Sequence, residues 1–137
     1  YEALNKKLTG AIRSSVSNCS RPAQSIIKRA LKDPDHQNAK QQYFEALKKR
    51  YQKVRSILDA APDDVPIQPL PFNSGYFMTF TVPEGKAEEL RTKLLEEEGI
   101  GTISIQGNYL RVAFSSIDEE NLEELYTAIF EAAKAVI

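Results

Sequence analysis

Residues 109–130 of the chain read YLRVAFSSIDEENLEELYTAIF, and the spacing of the apolar residues changes partway along. From Tyr109 to Phe114 apolar side chains alternate with others, which is typical of a β-strand with one buried face. Further on, apolar residues recur every three or four positions, as on one face of an α-helix, at Leu122, Leu125, Tyr126, Ile129, Phe130 and Ala133. Between the two patterns, Ser116-Ile117-Asp118-Glu119 is a capping box, which predicts the start of the helix.

The residues before this stretch predict the rest of a small sheet. Alternation over Tyr76–Val82 indicates a second strand, and a short edge strand is expected at Ile67–Leu70. The segments Ile100–Ile105 and Tyr109–Phe114 flank Gln106-Gly107-Asn108, which is a hairpin signature. The strands of this sheet should therefore run mainly antiparallel.

Four more helices are expected. One follows the Tyr76–Val82 strand and ends at Gly99, and its inward residues should be Ala87, Leu90, Leu94 and Leu95. Two short helices with apolar stripes are predicted near the start of the chain, one over residues 3–14 and one capped by Ser20. The fourth covers 34–61, and it is long enough to connect two domains.

This order of elements predicts the α+β class: a small, mainly antiparallel sheet of three to four strands covered by helices, with a long N-terminal interdomain helix. The 137 residues of the chain fit one domain. Its 18 basic and 19 acidic residues give a net charge of −1, which argues against nucleic-acid and anionic-membrane partners. No apolar run approaches the roughly 18 residues that a membrane span needs. With one cysteine, no intrachain disulfide forms, and we expect the protein to be located in the cytoplasm.

Most patterns that carry catalytic chemistry are absent from the sequence. His36 is the one histidine, so neither a histidine triad nor a zinc cluster is easily built. Cys19 is interpreted as an inert small residue, and the glycines are scattered singly, which excludes a phosphate-binding loop. We predict no catalytic residue and no metal ligand in this chain.

Arg111 differs from the other polar residues because its strand has an apolar opposite face. An arginine beside a small Ala113 could present its guanidinium to a carboxylate through two hydrogen bonds. The residues alone favour an ordinary exposed strand arginine over this carboxylate site, and Arg13 is similarly interpreted as a solvated residue at a helix end. Phe77 lies on the same face of the predicted Tyr76–Val82 strand as polar residues. This suggests that it either lines a cleft or packs against another domain.

These residues lie in segments that resemble a known family. The segments IRSSVSN (12–18), NSGYFMTF (73–80) and LRVAFSSIDEENLEELYTAI (110–129) are similar, in order and spacing, to the C-terminal third of fold-type I aminotransferases. The resemblance is strongest to the aspartate and aromatic amino-acid branch, and it extends over the whole chain. It implies that residues 1–33 are the end of a large domain, 34–61 an interdomain helix, and 62–137 the α+β small domain.

The resemblance also implies roles for five residues. Arg111 matches the arginine that binds the substrate α-carboxylate, and Phe77 matches an aromatic residue of the substrate pocket. Arg13 matches the arginine that, in the dicarboxylate branch, reaches a side-chain carboxylate across a dimer interface. Ser17 and Asn18 match a loop near the partner subunit's site. The following Cys19 and Ser20, with Val16, depart from the prolines and aromatic residue usual there, which bears on the preference for dicarboxylates.

The implied cofactor is pyridoxal 5′-phosphate, with its lysine in a large domain of the same polypeptide and outside this chain. The implied partners are an amino acid, a keto acid, that large domain and a second subunit. We therefore expect these residues alone to be inactive, and to self-associate through surface that the large domain would cover. Two alternatives remain open: a β-lyase or decarboxylase of the same fold, and a free-standing α+β ligand-binding module.

Overall fold

A computed structural model describes residues 1–16, 20–73 and 75–137, which form two units. The first unit is Tyr1–Gln42 and the second is Tyr43–Ile137. The division between them falls within a long helix, α3 (His36–Asp59). This helix is the one predicted over 34–61, and two of its residues, Val54 and Leu58, are buried in the core of the second unit.

The first unit contains the two predicted short helices, α1 (Glu2–Ser15) and α2 (Arg21–Leu31). The Ser20 hydroxyl accepts a hydrogen bond from the Ala23 amide at 3.4 Å, which confirms it as the cap of α2. Neither helix buries a residue, although both carry apolar stripes. The exposed members of these stripes are Leu4, Leu8, Ile12, Ile26, Ile27 and Leu31.

The second unit is built on a four-stranded antiparallel sheet in the order β1-β2-β4-β3. Its strands are β1 (Gln68–Pro69), β2 (Met78–Thr81), β3 (Ile103–Ile105) and β4 (Tyr109–Val112). The predicted edge strand, central strand and hairpin are therefore all present. The hairpin turn places Gln106 and Gly107 at φ values of 53° and 77°, a left-handed conformation that glycine adopts without steric cost.

One face of this sheet forms the core. Met78, Phe80, Leu110 and Val112 point into it and are at most 2% exposed. The helices α4 (Lys86–Glu98) and α5 (Leu122–Val136) supply most of the facing residues. All six apolar residues predicted for the last helix are buried, because their spacing keeps them on one side of α5. The predicted α+β architecture, with helices covering a small antiparallel sheet, is confirmed.

Two local predictions were wrong. Leu95 is 48% exposed, because each residue along a helix turns the side chain by about 100° and Leu94 already fills the inward position. The capping box does not form, since two short 3₁₀ turns (Phe114–Ser116 and Glu119–Asn121) occupy this region and α5 begins only after them. The Ser116 hydroxyl donates to the Ala113 carbonyl at 3.0 Å instead of capping the helix.

Candidate functional site

Arg111 lies in the middle of β4, on the face of the sheet opposite the core. Its partners across the sheet are Thr79 on β2 and Ile103 on β3. Directly opposed residues of antiparallel strands project to the same side, so the three side chains form a row on this outer face. Arg111 is half-buried, whereas Ile103 is 47% exposed. The predicted outward direction of Arg111 is therefore correct.

The guanidinium of Arg111 lies over the ring of Phe77. The distance from Cζ to the ring centroid is 4.7 Å, which is within the range of a cation–π contact. Phe77 immediately precedes β2, and its ring is 46% exposed. The two residues that the sequence singled out in this unit are thus in contact, and together they form a partly open surface of one cation and one aromatic ring.

The charge of Arg111 is not paired within the part of the chain that the structure describes. The second unit contains four arginines, and three of them bind a carboxylate: Arg50 binds Asp118, Arg55 binds Asp59, and Arg91 binds Glu88. The Arg111 side chain makes no such ion pair among the described residues, and its Nε is buried without a hydrogen-bond partner there. Among these four guanidinium groups, Arg111 alone retains its capacity for a carboxylate.

A buried donor without a partner is unfavourable, and a ligand that satisfies it binds correspondingly better. The planar guanidinium offers parallel N–H groups that match the two oxygens of a carboxylate. The arrangement therefore favours a small anionic ligand with one carboxylate, seated against Arg111 on the outer face of the sheet.

The structure describes one of the three other predicted site residues. Arg13 is in the last turn of α1, in the first unit. Ser17 and Asn18 lie outside the described residues, as does Cys19. Thr79 and Ile103, which flank Arg111, were not predicted as site residues, because only the register of the three strands identifies them.

The described residues contain no group of histidine, cysteine and acidic side chains arranged to hold a metal ion. None of their helices has the length and apolar character to cross a membrane. The shifted pKa values lie away from Arg111: burial raises the pKa of Tyr126 in the core, and a hydrogen bond from Arg91 lowers the pKa of Glu88.

Three solved structures show where this fold occurs. The α-aminoadipate aminotransferase of Thermus thermophilus, complexed with N-(5′-phosphopyridoxyl)-L-leucine, matches with a TM-score of 0.70 at 21% identity, over 98% of this chain and 36% of that one. The kynurenine aminotransferase of Pyrococcus horikoshii matches with a TM-score of 0.66 at 16% identity, over 97% of this chain and 35% of that one. An aspartate transaminase of Corynebacterium glutamicum matches with a TM-score of 0.52 at 27% identity, over 69% of this chain and 24% of that one.

The chain spans about a third or less of the length of these three proteins. No curated protein matches it significantly in sequence. The profile of the family described as aminotransferase class I and II matches residues 2–129, which is nearly the whole chain. Together with the fold, this match shows that the chain belongs to the class I and II aminotransferase family.

Proposed function

We propose that the polypeptide containing this chain is a pyridoxal-phosphate-dependent aminotransferase, and that this chain supplies the site for the substrate α-carboxylate. Such an enzyme moves an amino group from an α-amino acid to an α-keto acid, and both molecules carry the carboxylate that Arg111 is suited to bind. Family membership supports the reaction class. The observation that supports the role of this chain is the guanidinium of Arg111, which lies beside Phe77 and has no carboxylate partner among the described residues.

In this proposal, Arg111 binds and orients the substrate. Two parallel hydrogen bonds fix the plane of the carboxylate and hence the direction of the bonds at the adjacent carbon. Orientation of this kind matters for catalysis, since a misplacement of about 1 Å can reduce a rate by about 100-fold. Phe77 contacts the guanidinium from one side.

When bound, pyridoxal phosphate supplies an electron sink for the charge that develops on the substrate carbon. The residues of this chain fit the substrate side of such a site, because Arg111 has an unsatisfied buried donor for a carboxylate. The related Thermus thermophilus enzyme binds a leucine joined to the phosphopyridoxyl group. We assign no lysine of this chain to the cofactor, and we expect the 137 residues alone to be inactive.

The proposal extends to the organisation of the protein. Residues 1–33 would complete a large domain, 34–61 would connect the domains, and 62–137 would form the small domain. Arg13, Ser17 and Asn18 would contribute to the site of a second subunit in a homodimer. The single cysteine is consistent with a reducing cytoplasm as the place of action.

The proposal is tested with the complete polypeptide, loaded with pyridoxal phosphate and assayed for transfer of an amino group to a keto acid. Arg111→Ala should lower kcat/KM by about 100-fold, because it removes charge-assisted hydrogen bonds of about 1.5–3 kcal/mol each. Arg55→Ala is the matched control: Arg55 also lies over a phenylalanine, Phe72, but its guanidinium is already paired with Asp59 at 3.0 Å.

Kinetics of the Arg55→Ala enzyme should stay within about threefold of the wild type, as expected for a surface ion pair. Equal losses in the two variants would mean that Arg111 acts only through stability. Product analysis decides the reaction class. Release of ammonia or carbon dioxide in place of a new amino acid would contradict transamination and favour elimination or decarboxylation.

A further inference from the structure

We propose that Arg50, on α3, is a positioning residue that holds the Arg111–Phe77 surface in its binding geometry. This inference rests on the proposed function, because it concerns how the same site is kept in place. Arg50 touches neither Arg111 nor Phe77 in the hydrogen bonds and ring contacts of the described chain. Its side chain acts on the backbone at the end of the two strands that carry them.

The regular pairing of β2 and β4 ends just beyond the site, and its last pair is Met78 with Val112. Past this pair, the Ser115 amide donates to the Tyr76 carbonyl at 3.3 Å, so one further hydrogen bond joins the two segments. Tyr76 is the residue directly before Phe77, so this hydrogen bond helps determine where the Phe77 ring lies.

Arg50 binds the backbone of the same residue, through the Ser115 carbonyl. Its guanidinium donates to the Ser115 carbonyl and, at 3.3 Å, to the Asp118 carboxylate. The Arg50 side chain is 22% exposed, and its bond to the Ser115 carbonyl is partly shielded from water, whereas the Asp118 carboxylate is 74% exposed. The helix that carries Arg50 is itself fixed, because Val54 one turn later is completely buried. Arg50 thereby connects a rigid helix to the segment that pairs with Tyr76.

An aromatic cluster packs at the same corner and makes the inference testable. Tyr51 contacts Phe72 edge-on at 5.4 Å, and Phe72 contacts the buried Phe114 at 5.9 Å. These rings keep the corner folded when Arg50 is replaced, since their contacts do not involve the guanidinium. We therefore expect loss of Arg50 to loosen the Ser115–Tyr76 pairing without unfolding the unit.

The test uses NMR of the labelled 137-residue chain and requires no enzymatic activity. The Arg111 Nε is buried, so its proton should exchange slowly enough to be observed, and the Phe77 ring should shift its resonance upfield. The Phe77→Leu variant gives the reference position of the Arg111 Nε proton resonance in the absence of the aromatic ring. In Arg50→Gln the resonance should move at least halfway towards that position, while Arg50→Lys, which can still donate to Ser115, should give an intermediate shift. Lys49→Gln, which removes an exposed charge at the adjacent residue of α3, is the control and should leave it unchanged.

An unchanged Arg111 resonance in Arg50→Gln, with dispersed signals from the core, would overturn the inference. So would an equal shift in Lys49→Gln. If Arg50→Gln does not fold, Arg50→Lys decides alone, and a wild-type resonance in that variant also counts against the role. In the complete polypeptide, Arg50→Gln should raise KM for the amino acid about tenfold, with a smaller change in kcat, as a small misorientation of Arg111 would produce.

The two proposals fail in distinguishable ways. If Arg111→Ala leaves kcat/KM unchanged, the proposed function is wrong, whereas the NMR shifts still decide whether Arg50 positions the pair. If Arg111→Ala is defective but Arg50→Gln leaves both the resonance and KM unchanged, the carboxylate site stands and the positioning role is lost.

Discussion

The two faces of the small sheet differ in the exposure and the contacts of their side chains. On the inner face Met78, Phe80 and Leu110 are at most 1% exposed and pack on helices. On the outer face the neighbouring residues Phe77 and Arg111 remain accessible, and Arg111 has no carboxylate partner in the described chain. Adjacent positions thus serve stability on one side and, in the proposed function, ligand binding on the other, so substitutions one residue apart should separate the two.

The largest effect on stability is expected for Phe80→Ala. The Phe80 ring is 1% exposed and lies 6.2 Å and 6.3 Å from the rings of Tyr126 and Phe130. Its removal leaves a cavity, and the free energy of unfolding should fall by about 3–5 kcal/mol. Chemical denaturation of the chain measures this. Thr79→Ala, on the outer face, is the control and should cost less than about 1 kcal/mol; similar losses in both variants would contradict the division between the faces.

A smaller effect of opposite sign is expected for Tyr126→Phe. The Tyr126 ring is buried in the core, and its hydroxyl has no hydrogen-bond partner among the described residues. Removing a buried hydroxyl without a partner should leave the free energy of unfolding unchanged or raise it by up to about 1 kcal/mol. Destabilisation by more than about 1 kcal/mol, measured in the same denaturation experiment, would show that the hydroxyl is satisfied.

The smallest effect on stability is expected for Phe77→Leu, where the aromatic ring is lost from the outer face. The free energy of unfolding should change by less than about 0.5 kcal/mol because the ring is exposed. The loss of a cation–π contact worth about 0.5–1 kcal/mol should raise KM for the amino acid about two- to fivefold in the complete polypeptide. A large loss of stability with unchanged KM would place Phe77 in the core instead of the site.

The inner face could be predicted from the sequence because the spacing of apolar residues along a strand is a local property. The alternation of apolar side chains identified the inward residues of β2 and β4. The same alternation predicted that the Arg111 side chain points outward. Sequence alone could not decide whether Arg111 was paired, since that depends on side chains from other elements. Family resemblance, rather than the strand pattern, supplied the carboxylate role, and that role stays a prediction.

Arg50 was missed for a related reason. Its partners Ser115 and Asp118 lie 65 and 68 residues away, and no local pattern distinguishes it from the basic residues around it on α3. The stripes of α1 and α2 show the opposite case, since their period was predicted correctly, yet neither helix buries a residue. A stripe indicates that a helix can be covered without identifying what covers it. Self-association through such surfaces stays a prediction.

Recognition of a carboxylate by Arg111 is tested most directly by comparing two substrates in two enzymes. We would measure kcat/KM of the complete polypeptide and of its Arg111→Ala variant, for an α-amino acid and for the matching amine that lacks the carboxylate. The wild type should prefer the amino acid by about 100-fold or more, and Arg111→Ala should lose most of that preference, because the preference comes from the paired hydrogen bonds. A variant that keeps the full preference for the carboxylate would contradict the assignment of Arg111.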